Sequence, residues 1–107
     1  MKEEEEYDDL SIKEFTDLQK FAYVTQRAIE MDSIGYAYRE NSDLKIDSGW
    51  RFMFGDEEED YLDNPENTIT KDMQDIIAWK PAVKELLKAR PGQDFEWNDA
   101  TQKFEKI

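Results

Sequence analysis

The side chains in this sequence that could do chemistry are almost all carboxylates. Of 107 residues, 27 are Asp or Glu against 14 Lys or Arg, for a formal net charge of −13, and there is no His and no Cys. Without histidine the usual general base near neutral pH is missing, which excludes Ser-His-Asp and Cys-His chemistry. Without cysteine there is no thiolate nucleophile, disulfide framework or Cys-based metal site. A pair of carboxylates could hydrolyse a glycoside. Among so many, close pairs are guaranteed and no spacing singles one out, and Gly-rich phosphate loops are lacking. The expectation is a protein that is not an enzyme, with no catalytic residues and no cofactor.

Two stretches hold nearly all the excess charge. Glu3, Glu4, Glu5, Glu6, Asp8 and Asp9 against Lys2 give residues 1–10 a net of −5, and Asp56, Glu57, Glu58, Glu59, Asp60, Asp63 and Glu66 give residues 56–66 a net of −7 with no basic residue. The first run has no apolar periodicity and reads as a solvated, disordered tail. It also lacks the apolar stretch of a secretory signal, and no run in the chain approaches the ~20 apolar residues that span a bilayer. A soluble, cytoplasmic protein is expected, a monomer by default. The second run lacks the Asp-x-Asp-x-Asp-Gly spacing and closing Glu of a calcium loop, and consecutive Glu side chains cannot converge on one ion, so no metal site is assigned. Such a run repels nucleic acid and steers a cationic protein surface toward itself. The candidate partner-binding residues are therefore Asp56, Glu57, Glu58, Glu59, Asp60, Tyr61 and Asp63, with Tyr61 as an aromatic anchor.

The elements that must hold this segment follow from periodicity. Ser11 with Glu14 forms a capping box ahead of Ile12, Phe15 and Leu18, which predicts an amphipathic helix over 11–20. Phe21 to Ile29 is rich in β-branched and aromatic residues and reads as a strand. Ile34 to Arg39 reads as a second, so the two suggest a hairpin. Gly49 to Phe54 is a third strand, with Trp50, Phe52 and Phe54 on one face. The acidic segment makes at most one helical turn before Asn64-Pro65, because Pro65 biases Asn64 away from helix. Thr70 is placed as the cap of a helix over 71–79 and Pro81 at the start of another over 81–89. Arg90-Pro91-Gly92 breaks the chain, and Phe95–Trp97 with Gln102–Ile107 forms a terminal hairpin. The order αβββααββ predicts a single α+β domain over 11–107, with an antiparallel sheet of about five strands and helices on one face. In that fold Tyr36, Tyr38, Trp50, Phe52 and Phe54 form a core face and not a base-stacking platform. Arg39 and Arg51 pair with neighbouring carboxylates or help to order the acidic loop.

Four phrases stand in one ordered series: Gly35-Tyr36-Ala37-Tyr38-Arg39-Glu40, Asp47-Ser48-Gly49-Trp50-Arg51-Phe52, Gly55-Asp56-Glu57 and Tyr61-Leu62-Asp63-Asn64-Pro65-Glu66-Asn67. The series resembles the bacterial immunity-protein family thirty-three, formerly a domain of unknown function, densely over 34–67 and loosely as far as Trp97. The resemblance implies an α+β fold and stoichiometric neutralisation of a toxin domain, and it carries no catalytic residues. Joined to the acidic patch, it points to a basic toxin domain such as a nuclease as the partner. The rival expectation is an accessory or regulatory bacterial domain with no toxin partner, in which the acidic stretches only maintain solubility. A small carboxylate hydrolase is the third reading, and it requires a pocket that brings two carboxylates together.

Overall fold

The computed structural model describes residues 20–107. The acidic run at 1–10 and the helix expected over 11–20, Lys20 apart, lie outside the described residues. Phe21–Thr25 forms strand β1, with Ala22 and Val24 buried. The strand expected to reach Ile29 stops at Thr25, whose Oγ1 accepts from the Ala28 amide at 3.1 Å and caps helix α1, Gln26–Glu30. Threonine serves a strand and a helix cap equally well. Here the cap wins because the helix buries Ala28 and packs Ile29 against the core.

Strand β2 is Tyr36–Arg39 and β3 is Asp47–Met53. The expected β1–β2 hairpin does not form, because β3 lies between the two. Strand β3 is the most buried in the sheet, with Trp50 and Phe52 fully enclosed, so it takes a central place. Helix α2 spans Glu59–Asp63, and Pro65–Asn67 makes a single tight turn after Asn64, which is extended as Pro65 requires. Thr68–Asp72 is a strand, β4, where sequence reasoning placed the start of a helix. The cap of helix α3, Met73–Trp79, is Asp72, whose side chain accepts from the Gln74 amide, and not Thr70. The expected helix over 81–89 is a 3-10 segment, Pro81–Leu86. With three residues per turn, Val83 and Leu86 lie one above the other and both enter the core. Strands β5, Asp94–Asn98, and β6, Lys103–Lys106, form the terminal hairpin as expected.

The sheet has six strands in the order β4-β1-β3-β2-β5-β6. It is mixed and not purely antiparallel: β1 runs parallel to β3, and the other four pairings are antiparallel. Among the described residues the element order is βαββαβαββ, an α+β arrangement with more strands and different connections than the βββααββ expected there. One face of the sheet, carrying Ala22, Val24, Ala37, Trp50 and Phe52, forms a single core cluster with Ala28, Met73, Ile76, Val83 and Leu86. The rings of Trp50 and Phe52 stack with centroids 5.7 Å apart. Alternation along the strands puts Phe21, Tyr23, Tyr36, Tyr38 and Arg51 on the opposite face, where each is half-buried. The aromatic residues expected to share one core face are thus divided between the two.

Candidate functional site

The acidic segment begins where β3 ends, and its first two carboxylates are taken up by the fold. Glu57 Oε2 accepts from the Phe54 amide at 2.7 Å and from Thr25 Oγ1 at 2.5 Å, while Oε1 accepts from the Gly55 amide at 2.8 Å. Partial burial pushes the Glu57 pKa upward, but the hydrogen bonds from Thr25, Gly55 and Phe54 outweigh it, and the group lies below its ordinary value of 4.5. Asp56 receives both Nε and Nη2 of Arg27, at 2.5 and 2.6 Å, and this fork is the main reason its pKa is also lowered. The same guanidinium stands 4.8 Å over the Phe54 ring.

Farther along, the Arg27 amide donates to Tyr61 Oη at 2.9 Å, and Asn67 Nδ2 donates to the Tyr61 carbonyl at 2.9 Å. Asn64 Oδ1 accepts from the Glu66 amide and closes the turn after α2. Of the seven residues singled out in the sequence, Asp56, Glu57 and Tyr61 are therefore engaged with β1, α1 and the end of β3. Glu58, Glu59, Asp60 and Asp63 are exposed and take part in no ion pair among the described residues.

Sequence reasoning missed Arg27 and Thr25, which do the holding. The signal for Arg27 was present: it is the one basic residue between Lys20 and Arg39. Arg39 and Arg51, the two arginines of the central strands, make no hydrogen bond to the acidic segment. Among the described residues Arg39 pairs with no carboxylate; its Nε and Nη1 donate to the carbonyls of Ser48 and Ala89. Arg51 forks the Asp47 carboxylate at 3.0 and 2.9 Å, donates to Glu40 at 2.7 Å, and lies 4.3 Å over the Tyr23 ring. Asp47, only 6% exposed, also accepts from the Gly49 amide at 2.8 Å. Gly49 has φ +86°, and a Cβ there would sit 2.2 Å from the Glu40 carbonyl oxygen. A Cβ on Gly35 would sit equally close to the Phe54 carbonyl.

Among the described residues, no three carboxylates are gathered to hold a metal ion. A hollow of about 170 Å³ beside α3 is lined by Val24, Ile29, Lys71, Asp75, Ile76 and Trp79. It holds one carboxylate, so it does not supply the pair that a hydrolase reading requires. No described helix is long and apolar enough to cross a membrane.

The described residues thus form a mixed α+β domain with an acidic segment held at Asp56, Glu57 and Tyr61. The chain belongs to the Imm33 immunity-protein family, whose domain model matches residues 22–107 and so covers most of the chain. The match extends well beyond 34–67 and includes Thr25 and Arg27. No curated protein and no solved structure was found to match.

Proposed function

We propose that this chain is an immunity protein that neutralises a bacterial toxin domain by stoichiometric binding, without catalysis, in the cytoplasm of the cell that makes both. The contact surface is the segment Asp56–Asp63. Glu58, Glu59, Asp60 and Asp63 meet a basic region of the toxin, such as the phosphate-binding cleft of a nuclease. Asp56 and Glu57 set the shape of the segment, and Tyr61 anchors it.

The observation that supports this reading is the pair of latches formed by Glu57 with Thr25 and by Asp56 with Arg27. A segment held by charge-assisted hydrogen bonds before it meets its partner loses little conformational freedom on binding. Free carboxylates on such a segment raise the association rate through long-range attraction, an effect that salt screens.

The test is stopped-flow association with the catalytically inactivated toxin domain encoded by the neighbouring gene, over a series of salt concentrations. Binding at one-to-one stoichiometry, with a rate that falls steeply with salt, is expected. The quadruple variant Glu58→Gln, Glu59→Gln, Asp60→Asn, Asp63→Asn should associate at least about tenfold more slowly. An unchanged rate and affinity in that variant would show that the acidic segment is not the contact surface.

A further inference from the structure

The sheet face turned away from the core carries a second grouping of aromatic rings and carboxylates. Arg51 shows what the face does with such a grouping: its guanidinium lies over Tyr23 and is forked by Asp47, with Glu40 beside it. One strand farther on, the same kinds of group stand together; Arg51 lies opposite Tyr38, but its guanidinium is already taken by Asp47 and Glu40. Tyr36 and Tyr38 lie with ring centroids 5.9 Å apart. Across the β2–β5 pairing Tyr36 faces Glu96 and Tyr38 faces Asp94, and the Tyr36 hydroxyl donates to Asp94 at 2.5 Å.

Across the next pairing Glu96 faces Glu105 directly. Like charges opposed in a sheet destabilise it. Both are exposed, and neither takes part in an ion pair among the described residues, although Lys103 shares their face of β6. An arrangement that weakens the free protein and would be relieved by an added cation is complementary to a basic partner. The strip also continues the acidic segment: Gly35, next to Tyr36, packs on the Phe54 carbonyl, and its own carbonyl accepts from the Trp97 amide. Tyr36, Glu96 and the start of the segment thus share one end of the sheet.

We propose that this strip, Tyr36 and Tyr38 with Asp94, Glu96 and Glu105, is a second docking surface that receives an arginine side chain of the protein partner. The guanidinium stacks on a tyrosine ring and is forked by carboxylates, as Arg51 is by Tyr23 and Asp47. The inference rests on the reading of a basic protein partner and adds to it a specific subsite.

The first test is an NMR titration of the full chain with the peptide acetyl-Gly-Arg-Gly-Arg-Gly-amide and its glutamine counterpart. The arginine peptide alone should shift the ring protons of Tyr36 and Tyr38 saturably. Glu96→Gln with Glu105→Gln, both at exposed sites, should weaken that response about tenfold. Shifts confined to Glu58–Asp63, or no shifts, overturn the inference. So do shifts that appear only after residues 1–19 are removed, or self-association of the chain through the strip. The second test is the toxin domain itself. If it binds the Glu96→Gln, Glu105→Gln variant as tightly as the unaltered chain, the subsite is wrong while the immunity reading stands. If it binds neither protein, the immunity reading fails with it.

Discussion

Strand β3 has a cluster of carboxylates at each end, and the two clusters are built on opposite terms. At its start, Asp47 and Glu40 share Arg51, and Asp47 is nearly buried with its oxygens satisfied by that guanidinium and the Gly49 amide. At its end, seven acidic residues in 56–66 meet one guanidinium, Arg27, and it takes only Asp56. Glu57 is satisfied by Thr25 and two backbone amides, and the others point outward. The difference teaches that a carboxylate's role is set by the donors that reach it. Where donors match acceptors the charge becomes part of the scaffold, and where they run short it stays exposed to solvent.

The sharpest way to break this comparison is to remove the closed cluster's centre. Asp47→Ala leaves the Arg51 guanidinium, still half-enclosed and stacked on Tyr23, without its fork, and leaves the Gly49 amide unpaired. Breaking a buried pair in this way costs about 3–5 kcal/mol, readable by urea denaturation. A loss below about 1 kcal/mol, the range of exposed pairs, would mean that the start of β3 is no more tightly built than its end.

At the other end, Glu57→Ala removes three hydrogen bonds and leaves the Phe54 and Gly55 amides without an acceptor. The expected loss is about 1–3 kcal/mol, smaller than for Asp47 because the site is only partly buried. Hydrogen exchange at Phe54 and Gly55 should accelerate, whereas exchange at Gly49 should not. If Gly49 accelerated as well, the two clusters would be one cooperative unit and the distinction between them would fail.

Acid should loosen both anchored groups. Asp47 and Glu57 have folded-state pKa values below their ordinary values of 3.8 and 4.5. For both, burial raises the pKa and the hydrogen bonds outweigh it. A depressed carboxylate contributes stability that is complete above the ordinary value and is lost as pH falls through the folded one. Stability should therefore be level with respect to these groups above about pH 5 and decline below about pH 4. In the Glu57→Gln variant the decline should be shallower, and an unchanged acid limb would exclude Glu57 as a contributor. Tyr36 is pushed up to about 12, first by burial and then by its hydrogen bond to Asp94, so its phenolate absorbance should appear only well above that of an ordinary tyrosine.

Much of the scaffold was legible because periodicity and local chemistry agreed. The inward alternation of Trp50 and Phe52, the turn of the terminal hairpin around Asn98-Asp99-Ala100 and the stop at Asn64-Pro65 needed no long-range information. The β1–β2 hairpin was misread because sequence adjacency stood in for pairing, while the greater burial of β3 decides which strand is central. Strand β4 was missed because an edge strand with one apolar residue, Ile69, carries almost no alternation signal. Position 25 was misread because a threonine can extend a strand or cap a helix, and the choice depends on what Ala28 packs against. The acidic segment itself was visible as charge. What could not be seen was its division into anchored and free residues, since Thr25 and Arg27 lie about 30 residues away in sequence.

The smallest effect on stability, and the clearest separation of fold from function, belongs to the outward carboxylates. Glu59 and Asp60 sit in the first turn of α2, where negative charge interacts favourably with the exposed amides. They also crowd one another and Glu58, and that repulsion acts in the opposite sense. The two contributions offset, so Glu58→Gln, Glu59→Gln, Asp60→Asn and Asp63→Asn together should change the unfolding free energy by no more than about 0.5 kcal/mol. On the proposed function, the same four changes should slow association with a basic partner, whereas Glu57→Ala should weaken both properties because it releases the segment. A variant that loses stability and binding in parallel cannot distinguish a contact from a support, and the four outward residues avoid that ambiguity. If their replacement cost as much stability as Glu57→Ala, they would have internal partners, and the division between anchored and free carboxylates would have to be redrawn.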